Sequence, residues 1–283
     1  MPMKMKMLAL LAGLALSLIS CSPERPGSTP STPQAQPSRE TDAKTETIAL
    51  AEKTAVEPPA LPRPPERTES APIRTWQQVA DLPARVALFD TVFWDARDTL
   101  SLRDLISTTP LVNDKAILEI GTGSGLISLY CLEFGARTVV ATDVNQLAVA
   151  NALYNAERMG FEDRFETRLV PLDDTSAYRV IGASERFDLI ISNPPWENAE
   201  PKRIFEYAYF DPNFVLLRSL LDGLRDHLNP GGKALLAYGA VDGIQHLIRY
   251  SEDNGLRVRI LDDRKLEDLP PVFVPGMLLE VSF

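Results

Sequence analysis

Three short stretches hold the residues whose types and spacing could do chemistry. The first, Glu119-Ile120-Gly121-Thr122-Gly123-Ser124-Gly125, joins an apolar run to an apolar-rich helix. Glycines at such a turn adopt positive φ and let the backbone pass close beneath a ligand. The helix that follows offers N–H donors and the positive end of its dipole. The spacing G-x-G-x-G lacks the third glycine of the dinucleotide fingerprint G-x-G-x-x-G. The second is Asp143, 22 residues beyond Gly121 and at the end of another apolar run. A carboxylate there can accept both hydroxyls of a ribose. The third, Ser192-Asn193-Pro194-Pro195-Trp196, follows a further apolar run, and its Pro-Pro step fixes the backbone around an amide and a flat ring. The plainer readings are a tight structural turn, an exposed acid at a strand end and a Pro-rich turn with Trp196 in the core.

The elements that must position these residues alternate. Ala116–Ile120, Thr138–Thr142, Phe165–Val170, Phe187–Ile191 and Ala234–Tyr238 read as short buried strands. Leu126–Phe134, Gln146–Met159 and about Asn213–Leu228 read as helices, the last stopped by Asn229-Pro230-Gly231-Gly232. Two strand-like runs, Gly255–Leu261 and Met277–Phe283, close the chain with no helix between them. The pattern predicts a doubly wound, Rossmann-like α/β sheet, mostly parallel, with an antiparallel last strand.

The glycine turn resembles motif I of class I S-adenosylmethionine (SAM) methyltransferases. That resemblance implies that Gly121, Thr122, Gly123 and Gly125 wrap the methionine part of SAM and that Glu119 meets its amine. It also implies that an acid after the third strand, Asp173 or its neighbour Asp174, contacts the adenine amino group; Asp173 is the preferred choice, and a solvated loop pair is the alternative. Asn193-Pro194-Pro195-Trp196 resembles the [Asn/Asp]-Pro-Pro-aromatic motif of enzymes that methylate planar nitrogens: adenine N6, cytosine N4 or the glutamine side-chain amide. In that setting the Asn193 side-chain oxygen and the Pro194 carbonyl accept the two N–H bonds of the acceptor, preorganised by Pro195, and Trp196 offers a flat face. Residues from about 85 to 283 are most similar to the HemK-like protein-glutamine N5-methyltransferases. They depart from that family in having Trp rather than Tyr, and in having no helical substrate-recognition domain ahead of motif I.

Two further groups are open in the sequence. Phe89, Phe93 and Trp94 either line the mouth of the site or pack a lead-in helix and loop against the sheet. Arg97 and Asp98 form either a salt bridge or a gate. Two cysteines and the widely separated His227 and His246 provide no metal site.

Residues 1–20 read as a secretory signal, with Lys4 and Lys6 ahead of an apolar run of about a dozen residues. The run ends at Cys21, in a pattern that resembles a bacterial lipoprotein signal. This implies acylation of Cys21, membrane anchoring and, with Ser22, an outer-membrane address; a cytoplasmic protein is the alternative if the signal is unused. Residues 21–75 read as the lipidated cysteine followed by a tether, since 11 of the 23 prolines fall between Pro23 and Pro72. The domain is then 76–283, with 31 acids and 20 bases. A net charge of −11 disfavours a polyanion partner, which rewards Lys and Arg. The sequence therefore implies a SAM-dependent N-methyltransferase that acts on protein. A nucleic-acid adenine methyltransferase and a lipid-anchored, non-catalytic binding module are the alternatives.

Overall fold

The computed structural model describes residues 72–283. The expected signal, Cys21 and the tether up to residue 71 lie outside the described residues. Among those described, no helix is long and apolar enough to cross a membrane.

The chain enters through a hairpin, β1 (Ile73–Gln77) and β2 (Val86–Phe89), and β1 starts three residues ahead of the expected boundary at 76. Helix α1 (Leu100–Thr108) follows. Then come β3 (Ala116–Ile120), α2 (Leu126–Glu133), β4 (Thr138–Asp143), α3 (Gln146–Arg158), β5 (Phe165–Leu169) and β6 (Phe187–Ser192). The second half holds α4 (Val215–Asp222), α5 (Leu224–His227), β7 (Leu228–Ala240), α6 (Val241–Asp253), β8 (Arg257–Ile260) and β9 (Val272–Ser282).

Seven of these strands form one sheet in the order β5-β4-β3-β6-β7-β9-β8. Only β9 runs antiparallel, inserted between β7 and β8. The continuous apolar runs of β3 and β6 follow from burial on both faces. Ile117, Leu189 and Ile191 face α1, α2 and α3, while Leu118 and Ile190 face α4 and α6.

The expected strands and the antiparallel finish are present. Two helical expectations change. The helix expected over 213–228 is broken: Asn213 and Phe214 both sit at φ 54°, and Gly223 divides α4 from α5. The Asn-Pro-Gly-Gly stretch does not follow a helix directly but belongs to the irregular start of β7, where the β6–β7 register shifts. Helix α6 had not been expected. Its signal was legible, because Val241, Ile244, Leu247 and Ile248 recur at helical spacing and Ile244 and Leu247 are fully buried.

The hairpin is fastened by side chains rather than by a third strand. Asn151 and Asn155 of α3 are fully buried. Asn155 accepts the Ala87 N–H at 2.8 Å, and Asn151 accepts the Phe89 N–H at 2.9 Å. Both amides donate back to the Ala87 carbonyl, and Asn155 also donates to Ser124 in the glycine turn at 3.0 Å. Buried backbone groups must be paired, so these two residues complete the free edge of β2. Asn155→Ala should lower the unfolding free energy by about 2–4 kcal/mol, since each stranded group costs roughly 1–3 kcal/mol. Urea unfolding followed by circular dichroism measures it, and a loss of only a few tenths would show that the edge is satisfied some other way.

Candidate active site

The turn after β3 builds the floor. Gly121, Gly123 and Gly125 all take positive φ, at 79°, 55° and 85°. Gly125 also presses on α3: a Cβ there would sit 3.0 Å from the Ala152 Cα and Cβ. The turn's N–H groups point into the protein. Gly121 and Thr122 both donate to the Thr142 carbonyl at 2.9 Å, Gly123 donates to Asp143 Oδ2 at 2.9 Å, and Gly125 donates to the Thr122 carbonyl. A phosphate cradle needs a row of free N–H groups, and these four are already engaged. Such a floor suits a ligand without phosphate.

Asp143 ends β4 at this floor. Its Oδ1 accepts the Asn145 N–H at 2.8 Å. A carboxylate has roughly four acceptor sites, so capacity for two hydroxyls is left. Burial raises its pKa, against the pull of the Asn145 and Gly123 N–H groups. Glu119 is only 1% exposed. Its Oε2 accepts the Thr122 hydroxyl at 2.7 Å and the Ser128 hydroxyl. Burial pushes its carboxyl up to about 7, against those two donors.

One cavity joins these groups. Glu119, Gly121, Thr122, Gly123 and Asp143 line it, as do Asn193 and Pro195 at the end of β6. Val170 and Thr175–Ala177 form a side wall, and the loop after β2 supplies Thr91, Phe93, Trp94, Asp95 and Thr99. The segment from Ile204 to Pro212 closes over the top with Phe205, Tyr207 and Phe210. Its C-terminal end is pinned to Glu197: the Glu197 N–H donates to Tyr209 O at 3.0 Å, and the Asp211 N–H donates to Glu197 O at 2.8 Å. Phe93 meets Tyr209 edge to face, centroids 5.3 Å apart, so the β2 loop and this lid touch across the opening. Phe93 and Trp94 thus line the site, whereas Phe89 packs in the core.

Asn193 is held from behind. Asp98 is 5% exposed, and burial pushes its carboxyl up to about 7; Asp95 adds to the rise, while Arg97 and a hydrogen bond from the Asn193 side chain oppose it. Asp98 thus lies beside the Asn193 amide, and Asn193 itself lines the cavity. The Asn193 Oδ1 is buried and has no hydrogen-bond partner among the described residues. The Thr99 hydroxyl is likewise buried and unpartnered. Neither Asp98 nor Thr99 was assigned from sequence. Their signal was Asp95-Ala96-Arg97-Asp98-Thr99 immediately ahead of a helix. Arg97 pairs with Asp95 and not with Asp98.

Several expected residues lie elsewhere. Trp196 is not in the cavity wall. Its indole N–H donates to Ala237 O at 3.3 Å, and its ring covers Gly239, where a Cβ would sit 2.3 Å away. It also stacks on Tyr238. Packing against β7 occupies its flat face, so Phe93, Trp94, Phe205, Tyr207 and Phe210 are the aromatics that line the cavity. Asp173 is exposed and outside the lining. Asp174 binds the Ser176 N–H at 3.1 Å and pairs with Arg179. Pro194 and Gly125 are also outside the lining, Gly125 serving helix packing.

Comparison with known proteins bears on the same residues. The model of the ribosomal protein L11 methyltransferase (PrmA) family matches residues 99–194. A release factor glutamine methyltransferase of Cereibacter sphaeroides is 31% identical over 242 residues, covering 76% of this chain and 84% of that protein. The chain belongs to the release factor glutamine methyltransferase family. This methyltransferase is also 29% identical to a tRNA1(Val) (adenine(37)-N6)-methyltransferase of Shewanella loihica over 129 residues, 45% of this chain and 53% of that one. The methyltransferase shares its fold with the crystal structure of a ribosomal protein L11 methylase from Lactobacillus delbrueckii subsp. bulgaricus: TM-score 0.50, 18% identity, 70% of this chain and 84% of the other.

The methyltransferase is a SAM-dependent enzyme, and the residues present suit SAM. Four N–H groups of the floor, those of Gly121, Thr122, Gly123 and Gly125, are engaged within the protein, while a ribose-competent acid ends β4. Four carboxylates line the cavity (Asp95, Glu119, Asp143 and Asp211), with no Lys, Arg or His among the described lining residues. SAM carries a sulfonium and an amine, a ribose and no phosphate.

Glu119 and Asp98 make the ligand-free methyltransferase sensitive to pH. Both carboxyls hold protons more tightly folded than unfolded, so the native state binds more protons between about pH 4 and 7 and stability falls as pH rises through that window. At 1.36 kcal/mol per unit, and allowing for relaxation, the fall from pH 5 to 7.5 should be about 1–3 kcal/mol. Thermal melts across that range check it, and the Glu119→Gln/Asp98→Asn double variant should flatten the profile. An equal slope in that variant would assign the effect to other groups.

Proposed function

We propose that this methyltransferase methylates the side-chain amide nitrogen of a glutamine in a protein. The observation that carries the proposal is Asn193 Oδ1, a buried acceptor without a partner among the described residues, on a residue that lines the cavity. A buried acceptor demands a donor, and a primary amide nitrogen supplies N–H bonds. SAM, when bound, supplies an electrophilic methyl group. Glu119 receives its amine and Asp143 its ribose hydroxyls. An amide nitrogen is a poor nucleophile because its lone pair is delocalised. Accepting an N–H at Asn193 Oδ1 would hold the nitrogen in place for transfer, and positioning of this kind supplies much of the rate. Phe93, Phe205, Tyr207 and Phe210 exclude water and confine the planar group.

The second reading is an adenine amino group. The same four aromatic side chains could stack a base, and the Shewanella relative acts on adenine of a tRNA. The absence of any cation among the described lining residues favours the amide.

Two variants test the roles. Asp143→Ala should weaken SAM binding ten- to 150-fold in calorimetry, the loss of about 1.5–3 kcal/mol expected for a charge-assisted contact. Asn193→Ala should leave that affinity nearly intact and abolish labelled-methyl transfer. Transfer that survives protease digestion of the acceptor, but not nuclease, would favour adenine.

The proposal includes a lipid anchor at Cys21, supported by the sequence of residues 1–21. Clickable palmitate should label the wild type and not Cys21→Ser, and the variant should leave the membrane fraction. An unlabelled wild type with its N-terminus intact would remove the anchor and leave a cytoplasmic enzyme.

A further inference from the structure

The fold distributes charge unevenly. The loops after β2, β5, β6 and β8 (residues 90–99, 170–179, 193–214 and 261–271) hold 13 acids and 6 bases. Those 53 residues thus carry −7 of the net −11 of residues 76–283. All four loops emerge on the edge of the sheet where the cavity opens. The first three line the cavity. The fourth is joined to them through β9: Arg264 donates to Pro275 O at 2.9 Å, and the Gly276 N–H donates to Asp98 O at 3.0 Å.

Little of the positive charge on this face is free. Arg97, Arg179, Arg203 and Arg264 pair with Asp95, Asp174, Glu206 and Asp262 of the same loops. Lys202 and Lys265 are left among the described residues. Against them stand seven exposed acids without an ion-pair partner among the described residues, including Glu197, Glu200 and Asp263. The cavity beneath continues the sign, with four carboxylates and no cation in its described lining. The unpartnered hydroxyl of Thr99, 4% exposed, and the unpartnered Oδ1 of Asn193 mark that cavity as built for a ligand.

We propose that this face docks a positively charged protein segment, rich in Lys and Arg, that presents the acceptor amide to Asn193. The inference rests on the protein-acceptor reading and adds the character of the partner. Complementary charge raises the encounter rate, and unlike-signed surfaces exclude acidic competitors. A nucleic acid meets the opposite condition, since its phosphates face unpaired carboxylates. The effect weakens with salt, because exposed charges are screened beyond about 10 Å at 0.1 M ionic strength.

The test uses the purified full chain, SAM labelled in its methyl group, and a cell extract divided by ion exchange into basic proteins, acidic proteins and nucleic acid. Label should enter the basic proteins. Its initial rate should fall about fivefold or more between 20 and 300 mM NaCl, and about tenfold in a Glu197→Lys/Glu200→Lys/Asp263→Lys variant whose SAM affinity by calorimetry is unchanged. Label in acidic proteins, or in basic proteins at a rate indifferent to salt and to the variant, would overturn the docking proposal and leave the protein-acceptor reading standing. Label confined to nucleic acid, or none in any fraction, would overturn both.

Discussion

The carbonyl of Thr142 governs the site. It receives the N–H groups of both Gly121 and Thr122, one residue before the strand-end acid that receives Gly123. This ties the turn after β3 to the end of β4. A turn folded back so tightly requires left-handed backbone at Gly121, Gly123 and Gly125, and side chains at those positions would be strained. It also aligns Glu119 beneath the turn and Asp143 beside it, with fixed separation. The same knot turns four donors inward and leaves the carboxylates of Glu119 and Asp143 at the cavity wall.

A second constraint extends the site to parts of the chain distant in sequence. Asn155 binds β2 and the Ser124 carbonyl together, so the hairpin and the glycine turn are one rigid body. The loop after β2 then carries Asp98 to the back of Asn193. Asp98, the buried neighbour of Asn193, therefore lies 95 positions earlier in the chain, on the loop that follows the strand held by a polar pair from α3. A network of this kind is stiff only when every member is satisfied.

These relations explain what the sequence could and could not tell. The parallel strands and the antiparallel finish were legible from short apolar runs, clearest in β6 and the later part of β7, where burial is nearly continuous, and weakest in β5, whose burial alternates. That Glu119, the glycine turn, Asp143 and Asn193 gather at one edge of the sheet was legible because their spacing is local to strand ends. Trp196 misled because an aromatic beside a motif looks the same whether its ring faces a ligand or fills the notch over Gly239, 43 residues later. Asp173 misled because adjacency to a strand end does not fix side-chain direction in a loop. Asp98 and the lid aromatics escaped because their roles come from contacts across the fold. Helix α6 escaped although its period was present, since Gly239 and Gly243 around its start read as breakers.

The points where the chain enters and leaves this fold have a practical consequence. Ile73 pairs with Phe89, and Arg74 donates to the Val92 carbonyl at 3.2 Å, so the chain enters its fold next to Thr91 and Phe93 at the cavity rim. Phe283 follows β9 to the opposite edge, beyond the pairing of Ser282 with Arg257. A fluorophore, affinity handle or solid support joined through Phe283 would leave the opening clear. The same cargo attached just ahead of Ile73 would stand in the doorway.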